Sequence, residues 1–251
     1  EEAAAQGLIA GVNAVLKIRE RDPLILSRSE AYIGVLIDDL VTKGVVEPYR
    51  ILTSRAEYRL LLRQDNADFR LMETGHALGL IGDVQYKKLL DKKQAIDTEI
   101  KRLGSIKITP TEATNEILEG IETTSINSPI SLEELLKRPE IDYEKMGIFD
   151  RERPELSREV VEQVEIAVAY EGYIKRQIRQ VEKFRKLENK KIPADMNYDE
   201  VYGLSFEARE KLEGIMPTSL GQALRIPGVN PSDITVLMIY LESEKRKKAN
   251  G

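Results

Sequence analysis

Apolar positions recur along almost the whole chain at helical rather than strand spacing, so the pattern predicts a mostly α protein. Residues 1–19 read as one helix, whose small residues Ala3, Ala4, Ala5, Gly7, Ala10 and Gly11 let another backbone come close. Pro23 breaks the chain. A second helix is expected over residues 30–43, capped by Ser27 or Ser29 and stopped by Gly44, with Ile33, Leu36, Ile37, Leu40 and Val41 as its stripe. Residues 49–53 read as extended. Ser54 is expected to cap a short helix through Leu62, and a turn over residues 64–66 leads into a helix ending near Leu78. Residues 84–103 form a long polar helix with a narrow seam of Leu89, Leu90, Ile96, Ile100 and Leu103.

Residues 105–153 carry Pro110, Pro129 and Pro139, and short helices are expected at 111–118 and 132–137. This texture reads as a connection around the helices, without chemistry of its own. Ser157 is expected to cap the longest helix, running to about Glu188 on a stripe from Val160 and Val164 to Val181 and Phe184. Gly172 lies inside it at a cost of about 1 kcal/mol relative to Ala. A glycine there reads as a point where another helix or a ligand comes close. Pro193 ends the run, Ser205 caps residues 206–213, and Ser219 opens residues 220–226. Asn230, Pro231 and Asp233 start a final helix with the stripe Ile234, Leu237, Met238 and Leu241, closing a small bundle.

Composition narrows the function classes. The 251 residues have a net charge of -5, so basicity of the whole chain does not announce a nucleic-acid binder. There is no cysteine, and His76 is the only histidine, which argues against disulfides, thiol chemistry and a His-based metal cluster. No apolar run is long enough for a membrane span and no signal peptide is visible, so a cytoplasmic protein without membrane contact is expected. The chain opens inside a helical pattern without Met and reads as a fragment.

One stretch departs from the average charge: EPYRILTSRAEYRLLLRQDNADFRL, which sets Arg50, Arg55, Arg59, Arg63 and Arg70 among Tyr49, Tyr58 and Phe69. Guanidinium groups grip phosphate in a two-pronged way and stack on bases, and tyrosine offers a stacking face. A polyanion such as RNA, or a phosphate-bearing cofactor, suits such an edge. The plain alternative is a solvated helix face on which Arg63 pairs with Glu57 or Asp65. Asp65, Asn66 and Asp68 have the residue types of a turn and a cap, and a metal site is not expected from them. Asp38 and Asp39 are adjacent and point apart on a helix, so at least one is expected on a solvated face. Around Gly172 sit Tyr170, Tyr173, Lys175, Arg176 and Gln177. They could receive a splayed RNA base, but the spacing by itself favours a helix crossing with snorkelling cations. The basic tail Lys245, Arg246, Lys247 and Lys248 reads as a solvated end.

The same stretch resembles, almost residue for residue, a hallmark of the GidA/MnmG family of tRNA uridine-modifying enzymes. EEAAAQGLIAGVNA, SRSEAYIGVLIDDL, YEGYIKRQ, GLSFEAREKL and SLGQALRIPGVNPSDI extend the resemblance in the family's order. It implies a C-terminal helical domain preceded by the truncated end of an FAD-binding Rossmann-type domain. It also implies a full-length enzyme that uses FAD, NADH and a methylene-tetrahydrofolate carbon donor at the wobble uridine of tRNA, as a homodimer working with the GTPase MnmE. Under it, Glu1, Glu2 and Gln6 are the rim of the flavin site. Arg50, Arg55, Arg59, Arg63, Tyr173, Lys175 and Arg176 face tRNA, and Glu207 faces the partner or tRNA. No catalytic residue is expected within this chain, because the glycine-rich loop and catalytic cysteines of the family are absent, and the chain alone is not expected to hold FAD.

The expected division is residues 1–75 as the end of the FAD domain and its Arg/Tyr connection, 76–155 as a helical subdomain with variable loops, and 156–251 as the C-terminal bundle. The contrasting expectation is a helical protein-interaction module without RNA affinity, which the acidic net charge favours.

Overall fold

The computed structural model describes residues 1–42 and 48–250, with side chains as far as Arg246. The expected helix stop at Gly44, the first residue of the Arg/Tyr stretch and the side chains of Lys247 and Lys248 lie outside the described residues. The protein is mostly α. Its contacts group into two units, Glu1–Gln64 with Arg176–Gly251, and Asp65–Lys175. The Arg/Tyr segment up to Gln64 therefore groups with the last helices rather than with the chain that directly follows it.

In the first unit, α1 (Glu2–Ile18) and α2 (Tyr32–Thr42) precede an irregular segment, and α10 (Phe206–Ile215), α11 (Leu220–Arg225) and α12 (Pro231–Asn250) close the chain. Caps fix the last three. Ser205 Oγ accepts from the Ala208 N–H and Ser219 Oγ from the Gln222 N–H. α10 stops on Met216, which is left-handed at φ 51, just before Pro217. The start of α12 rests on Asp233, whose buried carboxylate accepts the N–H of Asn230 at 2.9 Å and of Ser205 at 3.0 Å. Burial alone would raise its pKa, and these backbone donors bring it below the ordinary value. Tyr198, Val201, Leu212, Leu220, Ile226 and Leu237 form the core of these helices. A smaller cluster of Val35, Ala56 and Leu62, flanked by Tyr32 and Ile51, holds the irregular segment to α2. Gly34 is required there: a methyl group on it would lie 2.3 Å from the Ser27 carbonyl oxygen.

The second unit contains α3 (Ala67–Ala77), α4 (Asp83–Ser105), α5 (Glu112–Gly120), α6 (Leu132–Leu136), α7 (Tyr143–Met146) and α8 (Arg158–Ala169). Two-residue strands β1 (Lys107–Ile108) and β2 (Ile130–Ser131) pair antiparallel, Lys107 opposite Ser131. Residues 105–153 are not a mere connection. They supply Ile108, Leu118, Ile126, Leu132, Leu135, Leu136, Ile141, Tyr143 and Met146 to the core that α4 and α8 close. A buried polar knot braces it: Tyr143 Oη donates to Glu99 at 2.8 Å, and Arg102 bridges Glu99 and Asp150.

Two expected helices are corrected. The long helix to Glu188 is broken at Tyr170 (φ -101, ψ 9), so α8 ends and α9 (Glu171–Glu188) begins there, and the boundary between the units falls inside α9. Gly172 marks no close approach, since a methyl group on it would meet nothing within 4 Å. Residues 54–62 form no helix beyond a single 3-10 turn over Thr53–Arg55, after which Ala56 is extended. The Arg55 carbonyl, which a helix would give to a backbone N–H, accepts from Arg28 Nη2 at 3.1 Å instead.

Candidate nucleic-acid interface

The irregular segment is held by a buried guanidinium that local spacing did not single out. Arg28, 7% exposed, donates through Nη1 to Asp39 at 2.6 Å, to Asp38 at 3.0 Å and to the Val35 carbonyl. Its Nε and Nη2 grip Glu57 at 3.1 and 2.8 Å. Burial works against this charge, but Glu57 and Asp39 outweigh it and hold the group protonated above its ordinary range. Asp39 also accepts from Tyr49 Oη at 2.7 Å, and burial together with that carboxylate pushes the phenol pKa up. Asp38 takes a two-pronged grip from Arg225 at 2.7 Å on each oxygen, and Arg225 reaches Glu188 as well. Both adjacent aspartates are thus inward and paired, which corrects the expectation that at least one is solvated. The side chains are 13% and 1% exposed.

This network sorts the arginines. Arg28 and Arg225 take the carboxylates, and Arg50, Arg55 and Arg59 of the segment remain outside. Arg50 is 83% exposed with Glu2 at 3.9 Å. Arg55 is exposed, its guanidinium lying 4.6 Å over the Tyr49 ring that Asp39 holds in place. Arg59 is exposed and makes no hydrogen bond or ion pair among the described residues. Arg63 is half-buried and donates to the Leu60 carbonyl at 2.7 Å. An open depression of about 630 Å³ runs between Tyr32, Thr53, Arg59, Leu62, Arg63 and Gln177. Gln177 at its edge accepts the Leu61 N–H at 3.1 Å, and Tyr58 of the same segment meets Phe184 edge to face. Cations, a tyrosine ring and an amide around an open apolar floor can hold a phosphate and stack a base.

The remaining sequence-predicted residues lie as follows. Tyr173 is 64% exposed with its ring 6.5 Å from that of Tyr170. Lys175 is exposed but paired with Glu171, which also binds Lys137. Arg176 is exposed. Glu1 is fully exposed and Gln6 exposed, whereas Glu2 accepts the Ile51 N–H at 2.9 Å, a bond that lowers its pKa. Glu207 is exposed in the first turn of α10 beside Gly228 (φ 94), and Tyr202 and Phe206 nearby in sequence are 98% and 83% exposed. Asp65 accepts from Gln163 at 2.8 Å and Asp68 from Lys92 at 3.0 Å, so both do structural work. No metal-ligating group of three or more occurs among the described residues. No described helix is long and apolar enough to cross a membrane.

Two family models match the chain: the tRNA modifying enzyme MnmG/GidA C-terminal helical domain over residues 83–178, and the MnmG/GidA C-terminal helical bundle over residues 180–251. Among curated proteins, the tRNA uridine 5-carboxymethylaminomethyl modification enzyme MnmG of Clostridium kluyveri is 55% identical over 99% of this chain and 40% of its own length. The enzyme of the same name from Alkaliphilus oremlandii is 58% identical over 99% of this chain and 39% of its own length. The chain spans about 40% of the length of these relatives. A crystal structure of Aquifex aeolicus GidA superposes with a TM-score of 0.80 at 40% identity, covering 96% of this chain and 37% of that one.

Proposed function

The chain belongs to the MnmG/GidA family, and on that premise we propose that it is the helical, tRNA-holding part of an FAD-dependent enzyme. With the GTPase MnmE, that enzyme would install the carboxymethylaminomethyl group at C5 of the wobble uridine. The relatives' names carry the uridine chemistry, and this chain's residues carry the holding. The observation behind the reading is the sorting of charge: Arg28 and Arg225 absorb the carboxylates, leaving Arg50, Arg55 and Arg59 outside. Arg59 and Arg63 line the open depression. These four arginines would take tRNA phosphates, with Tyr173, Lys175 and Arg176 as further contacts of α9.

FAD and NADH would belong to the longer enzyme, which would act as a homodimer in the cytoplasm. A flavin supplies hydride and electron transfer when bound. The start of α1 does not fit its diphosphate: Glu1 and Glu2 put negative charge there, and Glu2 is engaged by the Ile51 N–H. Glu1, Glu2 and Gln6 would therefore form only the rim of that site. Glu207, with the exposed rings of Tyr202 and Phe206, would face the GTPase. Those rings, together with the net charge of -5, are what favour the second reading, a protein-interaction module without RNA affinity.

Binding of bulk tRNA to the chain across a salt series separates the two. Affinity should fall steeply with ionic strength. Replacing Arg50 and Arg59 together by Ala should abolish binding at unchanged helicity by circular dichroism. Undiminished binding by that double variant would overturn the placement of the RNA site.

A further inference from the structure

We propose that the outer face of α9 is a second phosphate-tracking surface for RNA, formed by Arg176, Arg179, Lys183 and Lys186. The proposal rests on the tRNA-holding reading and extends it from Arg176 to Arg179, Lys183 and Lys186. The four cations stand at i, i+3, i+7 and i+10, a spacing that puts them on one side of a helix and spreads them over about 15 Å. All four are exposed, and none makes a hydrogen bond or ion pair among the described residues. The inward side is fixed by other residues. Gln177 accepts the Leu61 N–H, Phe184 meets Tyr58, and Glu188 binds Arg225 and the Ser219 hydroxyl.

The carboxylates of the same helix explain why the stripe keeps its charge. α9 contains three glutamates. Glu171 is spent on Lys175 and Lys137, and Glu188 on Arg225 and Ser219. Only Glu182 remains beside the stripe, with no partner of its own among the described residues. In a chain of net charge -5, four outward cations against one carboxylate make a local surplus. Solvated lysines and arginines scattered on a surface would be interleaved with acids. Here the acids are drawn off by bonds on other sides of the helix. A straight row of unpaired cations on a rigid element can follow a nucleic-acid backbone without reading its bases.

The test compares the parent chain with an Arg179→Gln, Lys183→Gln, Lys186→Gln triple variant. Bulk tRNA binding is measured at several salt concentrations, and circular dichroism checks the helix. If the three side chains meet phosphates, the triple variant should bind more weakly and its plot of log affinity against log salt should be shallower by roughly 2 to 3. The parent slope and affinity retained in the triple variant would overturn the stripe while leaving the Arg50 and Arg59 site standing. Loss of binding in the Arg50→Ala, Arg59→Ala variant together with an unchanged triple variant would overturn the stripe in the same way. A parent chain that binds no tRNA even at low salt would overturn both. A triple variant that holds tRNA but loses the GTPase would put a protein on this face and also overturn the proposal.

Discussion

Arg28 and Arg59 belong to one neighbourhood, yet the structure assigns them opposite consequences. Replacing Arg28 by Met removes the guanidinium but keeps an apolar stem of similar length. Asp39, 1% exposed, would then lose its guanidinium partner while keeping the Tyr49 hydroxyl. Asp38 would retain Arg225. Glu57, 47% exposed, can recover water. The cost is therefore that of breaking one buried ion pair rather than three, about 3–5 kcal/mol. The Arg55 carbonyl also loses its donor, so the segment carrying Arg50, Arg55 and Arg59 should loosen and tRNA affinity fall with it. Adding Asp39→Asn to Arg28→Met removes the buried charge that lost its guanidinium and should restore most of the loss. Arg59→Ala, by contrast, should stay within about 0.5 kcal/mol of the parent while weakening tRNA binding, because the side chain is exposed and bonded to nothing described. Urea unfolding followed by circular dichroism, at constant slope, reads all four proteins. A loss below about 1 kcal/mol in Arg28→Met, or no recovery in the double variant, would refute the assignment of Asp39 as a buried charge held by Arg28.

Two further outcomes follow from other sites. Asp233→Ala strips the acceptor from the Ser205 and Asn230 N–H groups at a buried position and should cost about 1–3 kcal/mol in the same urea assay. Glu171 has its pKa lowered from 4.5 to about 2, chiefly by Lys175 and then Lys137. The stability from these pairs is present above pH 4.5 and is lost as the pH falls toward 2. Glu171→Gln should therefore be less stable than the parent near neutrality and converge with it in that acid window. Thermal melts from neutral pH down through that window check this, and parallel curves would exclude it.

The elements that can be placed from sequence are those governed by neighbours in the chain. α4, α5, α6, α10, α11 and α12 follow local caps and helical stripes, and they appear close to where those signals put them. What local signals miss depends on partners far away in the chain. The helix expected over residues 54–62 fails because Arg28 takes the Arg55 carbonyl and Glu57. Arg225 meets Asp38 across 187 positions, a pairing no spacing rule contains. Residues 105–153 read as a connection because prolines cut their apolar positions into pieces too short to show a period. Those pieces converge on one core only through α4 and α8. The Arg/Tyr stretch was legible as a cationic cluster. Which of its arginines stay outside was not, because that depends on where the buried carboxylates lie.

The acidic net charge weighs less against RNA than it first suggests, because a phosphate feels charges by distance and screening rather than by their sum. At physiological ionic strength the screening length is about 8 Å. The carboxylates Asp38, Asp39, Glu57 and Glu188 pair with Arg28 and Arg225, and Asp38 and Asp39 do so beneath the surface. That network orients what lies above it: Asp39 holds the Tyr49 ring, and Arg55 rests over that ring, outside. An RNA strand reaching this edge would meet guanidinium groups first and the carboxylates only through them. The net charge of -5 acts earlier, on the approach, where it opposes long-range attraction of a polyanion. Binding by this chain would then draw its strength from contact rather than from steering. Its charge dependence would show chiefly in how long the RNA stays, as expected when rigidly placed side chains, not the average field, make the interface.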